Sequence, residues 1–398
     1  MDSTHSAQDE AFRREVRDWL ETQLSGDFAG VRGRGGSGRE HEAYEERLAW
    51  DRHLAAHGWT CIGWPREYGG RGLSATRQVI FHEEYARADA PGRVNHLGEE
   101  LLGPTLIAFG TPAQRERFLP GIREVRELWC QGYSEPDAGS DLAAVKTRAR
   151  LEPGEGRGGQ WVVDGQKVWT SMAHLADWCF VLVRTDPGST RHRGLSYLLV
   201  PMAQDGVEVR PIRQLTGTSE FNEVFFDGAR TEASLVVGDP GDGWKIAMGT
   251  LGFERGVSTI GQQIRFGREL EAVASLARRN GAVEDPAVQD RLTRAHMGLE
   301  VLRLNALRML TAPASAAPGP DVAIAKLLWS TWHRSLGELA MEVAGASALT
   351  VQEPPYELDD LQRLFLFSRA DTLYGGSNEI QRNIIAERVL GLPREPRP

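Results

Sequence analysis

Short runs of β-branched and aromatic residues are confined to the middle of this 398-residue chain, and helical periodicity occupies both flanks. This ordering excludes most architectures, because an amphipathic helix repeats its apolar face every 3.6 residues and a half-buried strand every two. In the first third, Phe12, Val16, Trp19 and Leu20 recur at helical spacing from Gln8 to about Leu24, and similar patterns run through Tyr44–His57, Ala75–Ala90, Leu97–Gly110 and Gln114–Glu124. From about Trp129 the segments QWVVDGQKVWTS, DWCFVLVRTD, LSYLLVPM, VEVRPI and NEVFFDGA are separated by Gly, Pro and Asp turns, as strands are. After Gly241 helical patterns return over Trp244–Asn280, Pro286–Ala312, Asp321–Ser347, Glu357–Leu373 and Ser377–Val389, with APASAAPGP as an interhelical break. The expected fold class is α+β, with an N-terminal α-helical domain (1–125), a middle antiparallel β domain (126–240) and a C-terminal helical bundle (241–398).

Composition narrows the function. A hydrophobic content of 41% and a charged content of 25% describe a soluble globular protein, and a formal charge of −9 argues against nucleic acid or an anionic membrane as the main partner. The charged N-terminus and the lack of any run of about 18 apolar residues argue against a signal peptide and a membrane span. Cys61, Cys130 and Cys179 sit far apart in apolar stretches, so buried thiols in a reducing, cytoplasmic compartment are expected rather than disulfides or zinc ligands. His53 and His57 have i, i+4 spacing but no third ligand, and read as a solvated helix face. GRGGSG (33–38) matches a dinucleotide fingerprint without the preceding strand such a site needs, and reads as a mobile connector.

Two segments carry chemistry. GYSEPDAGSDL (132–142) lies where the helical texture gives way to the β texture; its small turns let backbone N–H groups approach an anion or a polar ring edge, and Ser134 and Ser140 add hydroxyl donors. About 30 residues later GQKVWTS (165–171) sets Trp169 beside two hydroxyls, an aromatic wall with donors for a flat heterocycle. Taken singly, the first is an ordinary β-turn loop and Trp169 a core residue.

With GWPREYGGRG (63–72), GDGWKIAMGTLGFERG (241–256) and YGGSNEIQRNIIAERVLGLP (374–393), these segments resemble, in order and over nearly the whole chain, the acyl-CoA dehydrogenase family. The resemblance implies a flavoprotein fold, acyl-CoA dehydrogenase-like, whose C-terminal domain is a four-helix bundle, with FAD as cofactor and an electron-transfer flavoprotein as acceptor. It implies that Tyr133, Ser134, Gly139 and Ser140 meet the flavin edge or phosphates, with Ser140 also beside the pantetheine arm. Trp169 and Ser171 would pack on the flavin and donate near N5, and Ser377 and Glu379 would contact the cofactor from the C-terminal turn. Tyr374 is carried over to the substrate side.

The family often places a catalytic glutamate in a Tyr-Glu-Gly turn, and here the turn is Tyr374-Gly375-Gly376. Gly375 cannot be the base, but by resemblance its N–H would bind the thioester carbonyl. Its missing side chain also enlarges the pocket, favouring branched or bulky acyl groups. Glu254 is the expected base. At helical spacing its neighbours Ala247, Thr250, Leu251, Val257, Ser258 and Gly261 are small or apolar, a setting that raises a carboxyl pKa toward general-base range. The alternative is a glutamate paired with an arginine from another element. Branches similar to the isovaleryl- and long-chain-type enzymes carry their base on this helix, before an arginine, as in Glu254-Arg255. Arg255 would anchor a carboxylate or CoA, or form a structural salt bridge.

The subunit-sharing motifs fray. In RRNGAVEDPAVQ (278–289) and MEVAGASAL (341–349), Arg278, Gln289 and Gly345 stand where family tetramers complete a neighbour's FAD site. Two assemblies are therefore expected alternatives: a homotetramer or homodimer, or a heteromer with a second acyl-CoA dehydrogenase-like subunit, as in actinomycete steroid side-chain enzymes. The rival functions are a catalytically silent or half-site subunit, and a flavin oxidase or monooxygenase-like relative.

Overall fold

The computed structural model of the chain describes residues 6–154, 158–253, 258–310, 320–351 and 357–394; Glu254 and Arg255, the expected base and its neighbour, lie outside the described residues. Helices α1 (Ala7–Ser25), α2 (Tyr44–Ala56), α3 (Ala75–Arg87), α4 (Gly103–Phe109) and α5 (Pro112–Arg123) precede the strands. The strands are β1 (Trp129–Gly132), β2 (Arg148–Pro153), β3 (Gly159–Ser171), β4 (Trp178–Arg184), β5 (Leu195–Pro201), β6 (Val207–Ile212), β7 (Phe221–Glu232) and β8 (Val236–Val237). Then come α6 (Gly243–Phe253), α7 (Ser258–Asn280), α8 (Pro286–Leu310), α9 (Pro320–Ala344), α10 (Asp360–Asp371) and α11 (Asn378–Ile384). Helix, sheet and helix follow one another in the order that the periodicity predicts. The chain divides into two compact units, one of Met1–Thr22, Ala75–Asp89 and Val257–Pro398, the other of Gln23–Ser74 and Ala90–Gly256.

In the second unit the strands form one sheet in the order β6-β7-β3-β2-β4-β5-β8, with β1 added beside β4. The sheet is mixed, whereas the short strands and tight turns predict antiparallel pairing alone. Most pairs are antiparallel, but β1 runs parallel to β4 and β2 meets β4 in a parallel bridge. The cause is long-range: the β2–β3 hairpin intervenes in sequence between β1 and β4, so β1 returns to the sheet in the same direction. Alternation in β4 and β5 sends Phe180, Leu182, Tyr197 and Leu199 into a core shared with Leu106, Phe118, Ile122 and Ile246 of the flanking helices, while Val181, Val183, Leu198 and Val200 face Val224 and Phe226. Gly243 lets α6 abut β5, since a Cβ there would lie 2.6 Å from the backbone of Ser196. From this helix Thr250 donates toward the buried Tyr197 hydroxyl and is 2.8 Å from Thr105 Oγ1 on α4.

The glycine-rich connector is tied down rather than mobile. Arg47 of α2, fully buried, donates to the carbonyls of Gly92 at 2.9 Å and of Glu40 at 2.8 Å, and the Gly35 amide donates to Glu42. Its glycines satisfy backbone turns around a guanidinium, a demand that composition does not reveal. All three cysteines are free and buried, and among the described residues no helix is long and apolar enough to cross a membrane.

In the first unit α7, α8, α9 and α10 close over Leu270, Val273, Val288, Leu336, Leu339, Val343 and Leu364. Glu84 of α3 is 2% exposed and collects three arginines: Arg13 Nη1 at 2.7 Å, Arg17 Nε at 2.8 Å and Arg87 Nη1 at 2.5 Å. Burial alone would raise its carboxyl pKa, but the bonds from Arg17 and Arg13 win and hold it below the ordinary glutamate value. A depressed pKa gives stability that is present above the unfolded carboxyl range and is lost as pH falls through the folded value. Glu84→Ala removes the carboxylate shared by Arg13, Arg17 and Arg87 and leaves Arg13 to Glu83; it should destabilise this unit by about 1–3 kcal/mol in urea unfolding and flatten its loss of stability in acid.

Candidate active site

Where β1 ends, the chain enters the loop 132–146, and one buried lysine holds it. Lys167, in the middle of β3, has no solvent exposure, and its ammonium donates to Tyr133 O at 3.0 Å, Glu135 Oε1 at 2.8 Å and Leu182 O at 2.8 Å. The Glu135 carboxylate also accepts from the amides of Lys146 at 2.6 Å and Thr147 at 2.9 Å. Both ends of the loop therefore converge on one carboxylate and one ammonium. Burial raises the Glu135 carboxyl, but Lys167 and these amides outweigh it and keep it below the ordinary range, while full burial pulls the lysine down. Neither residue stands out as a motif. The available signal is parity: Lys167 shares the inward register of Trp161 and Val163 on β3.

The same strand presents Trp169 to solvent. The β3–β7 register shifts between Lys167 and Thr170, and at this bulge Trp169 takes φ +60°, a left-handed conformation that a bulky side chain rarely adopts. It is 57% exposed, so it is not the core residue that the strand pattern taken singly suggests; its ring meets Phe221 edge-on at 6.1 Å. Backbone strain of this kind clusters at functional sites, so Trp169 is a candidate ligand-facing position. Val168 N donates to Ser134 O at 2.9 Å, which places this bulge beside the loop. Ser134 and Ser171 are half-buried, Gly139 and Ser140 exposed, and a Cβ at Gly139 would meet nothing within 4 Å. Tyr133 is buried against Phe180 and Tyr197, so it contributes backbone rather than ring to the surface. Next to the loop lies a cavity of about 530 Å³ whose wall includes Asp141, Lys146, Arg148, Arg150, Arg184 and Arg191. Arg184 shapes it by donating to the carbonyls of Ala143, Arg191 and Arg193.

In the first unit, Tyr374, Gly375 and Gly376 form a turn between α10 and α11, with φ +61° and +82° at the two glycines. Ser377 caps α11, its Oγ accepting from Ile380 N at 3.3 Å, and Glu379 pairs with Arg382 at 3.2 Å on an exposed face. Arg278 pairs with Glu271, and Gln289 donates to Val283 O at 2.8 Å. Tyr133, Ser134, Trp169 and Ser171 thus lie on one continuous piece of the second unit, and Tyr374, Gly375, Ser377 and Glu379 on one of the first.

Profiles of the acyl-CoA dehydrogenase N-terminal, middle and C-terminal domains match residues 6–125, 130–229 and 241–390. The chain belongs to the acyl-CoA dehydrogenase family. It is 65% identical over 386 residues to the acyl-CoA dehydrogenase IpdE1 of Mycobacterium tuberculosis, covering 97% of this chain and 98% of that one. A structure described as the Tcur3481-Tcur3483 steroid ACAD superposes with a TM-score of 0.84 at 32% identity, covering 99% of this chain and 100% of that one. The ChsE4-ChsE5 complex from Mycobacterium tuberculosis gives a TM-score of 0.81 at 32% identity, with coverage of 99% and 100%. This chain is therefore an acyl-CoA dehydrogenase of the three-domain, flavoprotein-dependent fold.

The family is flavoprotein-dependent, and the strain at Trp169 gives a test that separates stability from cofactor binding. Trp169→Gly removes the left-handed cost and should leave unfolding stability unchanged or raised by up to about 1 kcal/mol, while the flavin content of the purified protein falls, as measured by denaturation and by absorbance together.

Proposed function

We propose that this chain carries out FAD-dependent α,β-dehydrogenation of an acyl-CoA thioester, with Glu254 as base. The observation that carries the reading is the outward Trp169 on its strained bulge, bonded to the Ser134 loop and locked beneath by Lys167. The donor set fits a flat heterocycle with a polar edge: an exposed aromatic face, the hydroxyls of Ser134, Ser140 and Ser171, and an open backbone at Gly139. FAD, when bound, supplies the acceptor for the hydride that leaves the β-carbon. The residues do the rest. Glu254 removes the α-proton, the Gly375 N–H donates to the thioester oxygen as negative charge develops there, and the oxidised product carries the new double bond. The two electrons then pass to an electron-transfer flavoprotein. Tyr374 lines the acyl side, Arg278 and Gln289 complete a neighbour's cofactor site, and Arg255 serves the carboxylate or CoA end.

The basic wall of the 530 Å³ cavity favours the phosphorylated end of CoA over a bare pantetheine. A glycine in place of a turn glutamate, together with a relative described as a steroid ACAD, points to bulky polycyclic acyl groups from lipid or steroid side-chain degradation. Two structural relatives are named as two-component assemblies, and this favours a heteromer with a second acyl-CoA dehydrogenase-like subunit in the cytoplasm. The second reading, a half-site subunit whose partner does the chemistry, rests on the same assemblies.

Anaerobic titration of the assembled flavoprotein with straight, branched and steroid-derived acyl-CoAs tests both readings. Flavin bleaching in the wild type, reduced at least about a thousand-fold in rate in Glu254→Gln, is the expected result. Bleaching that survives the substitution would assign the base to the partner.

A further inference from the structure

Behind the Tyr374–Gly376 turn, α7, α9 and α10 hold a chain of hydrogen-bonded charges, buried at His333 and Asp371 and part-exposed at Glu269, that the reaction above does not use. His333 of α9 is 7% exposed and stands between two carboxylates, its Nδ1 2.5 Å from Asp371 Oδ2 on α10 and its Nε2 2.8 Å from Glu269 Oε2 on α7. The other oxygen of Asp371 accepts from the Tyr374 hydroxyl at 2.8 Å. Asp371 is 1% exposed, and its carbonyl accepts from the Lys326 ammonium, which also lies over the rings of Trp329 and Tyr374. Phe266 stacks on the imidazole at 4.4 Å from the α7 side. Among the described residues, Glu269 from α7 and Asp371 from α10 are the charges that face His333, with Lys326 beyond Asp371.

Such a clamp answers a specific need. Two consecutive glycines in left-handed conformation have no Cβ to hold them, and ordering them costs more chain entropy than any other pair of residues. On one flank the turn is fastened by Asn378, whose amide N–H donates to Thr372 O at 3.0 Å and whose Oδ1 accepts from Ser330 at 2.8 Å. On the other flank stands Tyr374 on Asp371.

We propose that His333 is a positioning residue for this turn: by holding Asp371 it fixes the Tyr374 hydroxyl and, through it, the Gly375 N–H that meets the thioester carbonyl. The inference rests on the thioester role of Gly375 proposed above. Burial alone would push the imidazole down, but the bonds to Asp371 and Glu269 overcome it and raise its pKa to about 9. At neutral pH both ring nitrogens therefore carry protons and both donate. Because the folded pKa is raised, the stability from the doubly bonded imidazolium is fully present below about 6.5 and is lost as pH rises through about 9, where the neutral ring keeps one N–H for the buried Asp371 and gives up its bond to Glu269.

Two substitutions separate this role from simple packing. In His333→Asn the amide takes the place of Nδ1–H and still reaches Asp371; in His333→Gln it takes the place of Nε2–H, reaches Glu269 and abandons Asp371. Hydrogen exchange across Thr372–Gly376 of the assembled enzyme at neutral pH should keep its protection in His333→Asn and lose about ten-fold or more in His333→Gln. The affinity for acyl-CoA should follow the same split. Equal behaviour of the two variants, whether both protected or both exposed, overturns the proposal. If either variant does not fold, Tyr374→Phe decides, since it removes the hydroxyl and leaves His333 on Asp371: turn protection falls about ten-fold if the hydroxyl is the link, and wild-type protection overturns the proposal. Exchange that behaves as expected in an enzyme that no acyl-CoA reduces would retain the clamp and discard the dehydrogenase function proposed above.

Discussion

The ion pair between Lys167 and Glu135 is the interaction on which the loop 132–146 and the surface beside it depend. A lysine with no exposure is costly in a sheet unless each of its three protons has an acceptor, and here each does. The acceptors come from the end of β1, from the loop after it and from β4, so satisfying the charge also brings those segments into register. Two residues along the same strand the bulge turns Trp169 outward. The inward ammonium and the outward indole are two consequences of one strand: a fixed floor beneath the loop and a strained aromatic beside it.

The C-terminal turn follows the same logic with a different partner. His333 between Glu269 and Asp371 supplies a buried charge, and the same Asp371 carboxylate accepts from the Tyr374 hydroxyl at the start of the turn. In each place a charge is buried within a scaffold of helix or sheet, and a flexible, glycine-containing segment is hung on it. A buried pair of this kind is weak evidence for stability, because an apolar pair of similar volume often does as well. It constrains position, which is what a binding site requires.

Much of the architecture was legible in the sequence because periodicity is local. Phe12, Val16, Trp19 and Leu20 announce α1 without reference to any other part of the chain, and the β-branched runs announce β3 to β5. The parallel partnership of β1 with β4 was not legible, because it joins segments nearly 50 residues apart and leaves no trace in either. Trp169 taken singly reads as core, while the family likeness sets it against a flavin; the bulge that exposes it depends on the pairing with β7, which the strand's own residues do not show. Lys167 and His333 were passed over for a related reason. Each occupies an inward position, the first in register with Trp161 and Val163, the second on a helical stripe with Lys326, Ser330, Leu336 and Ala340. A charged residue on an apolar stripe is the signal, but its partner lies on another element and only the fold names it. The motifs around Ser134 and Gly139 were legible chiefly as family likeness, since either residue alone would describe any β-turn.

The most direct measurement is the flavin content of the assembled enzyme carrying Lys167→Met, compared with the wild type at matched folded fraction by circular dichroism. If the buried ammonium organises the loop, the variant folds with reduced stability and retains little flavin, because Glu135 is left as an unpaired buried carboxylate and the Tyr133–Thr147 segment loses its anchor. A folded Lys167→Met protein that keeps its full complement of flavin would contradict the account.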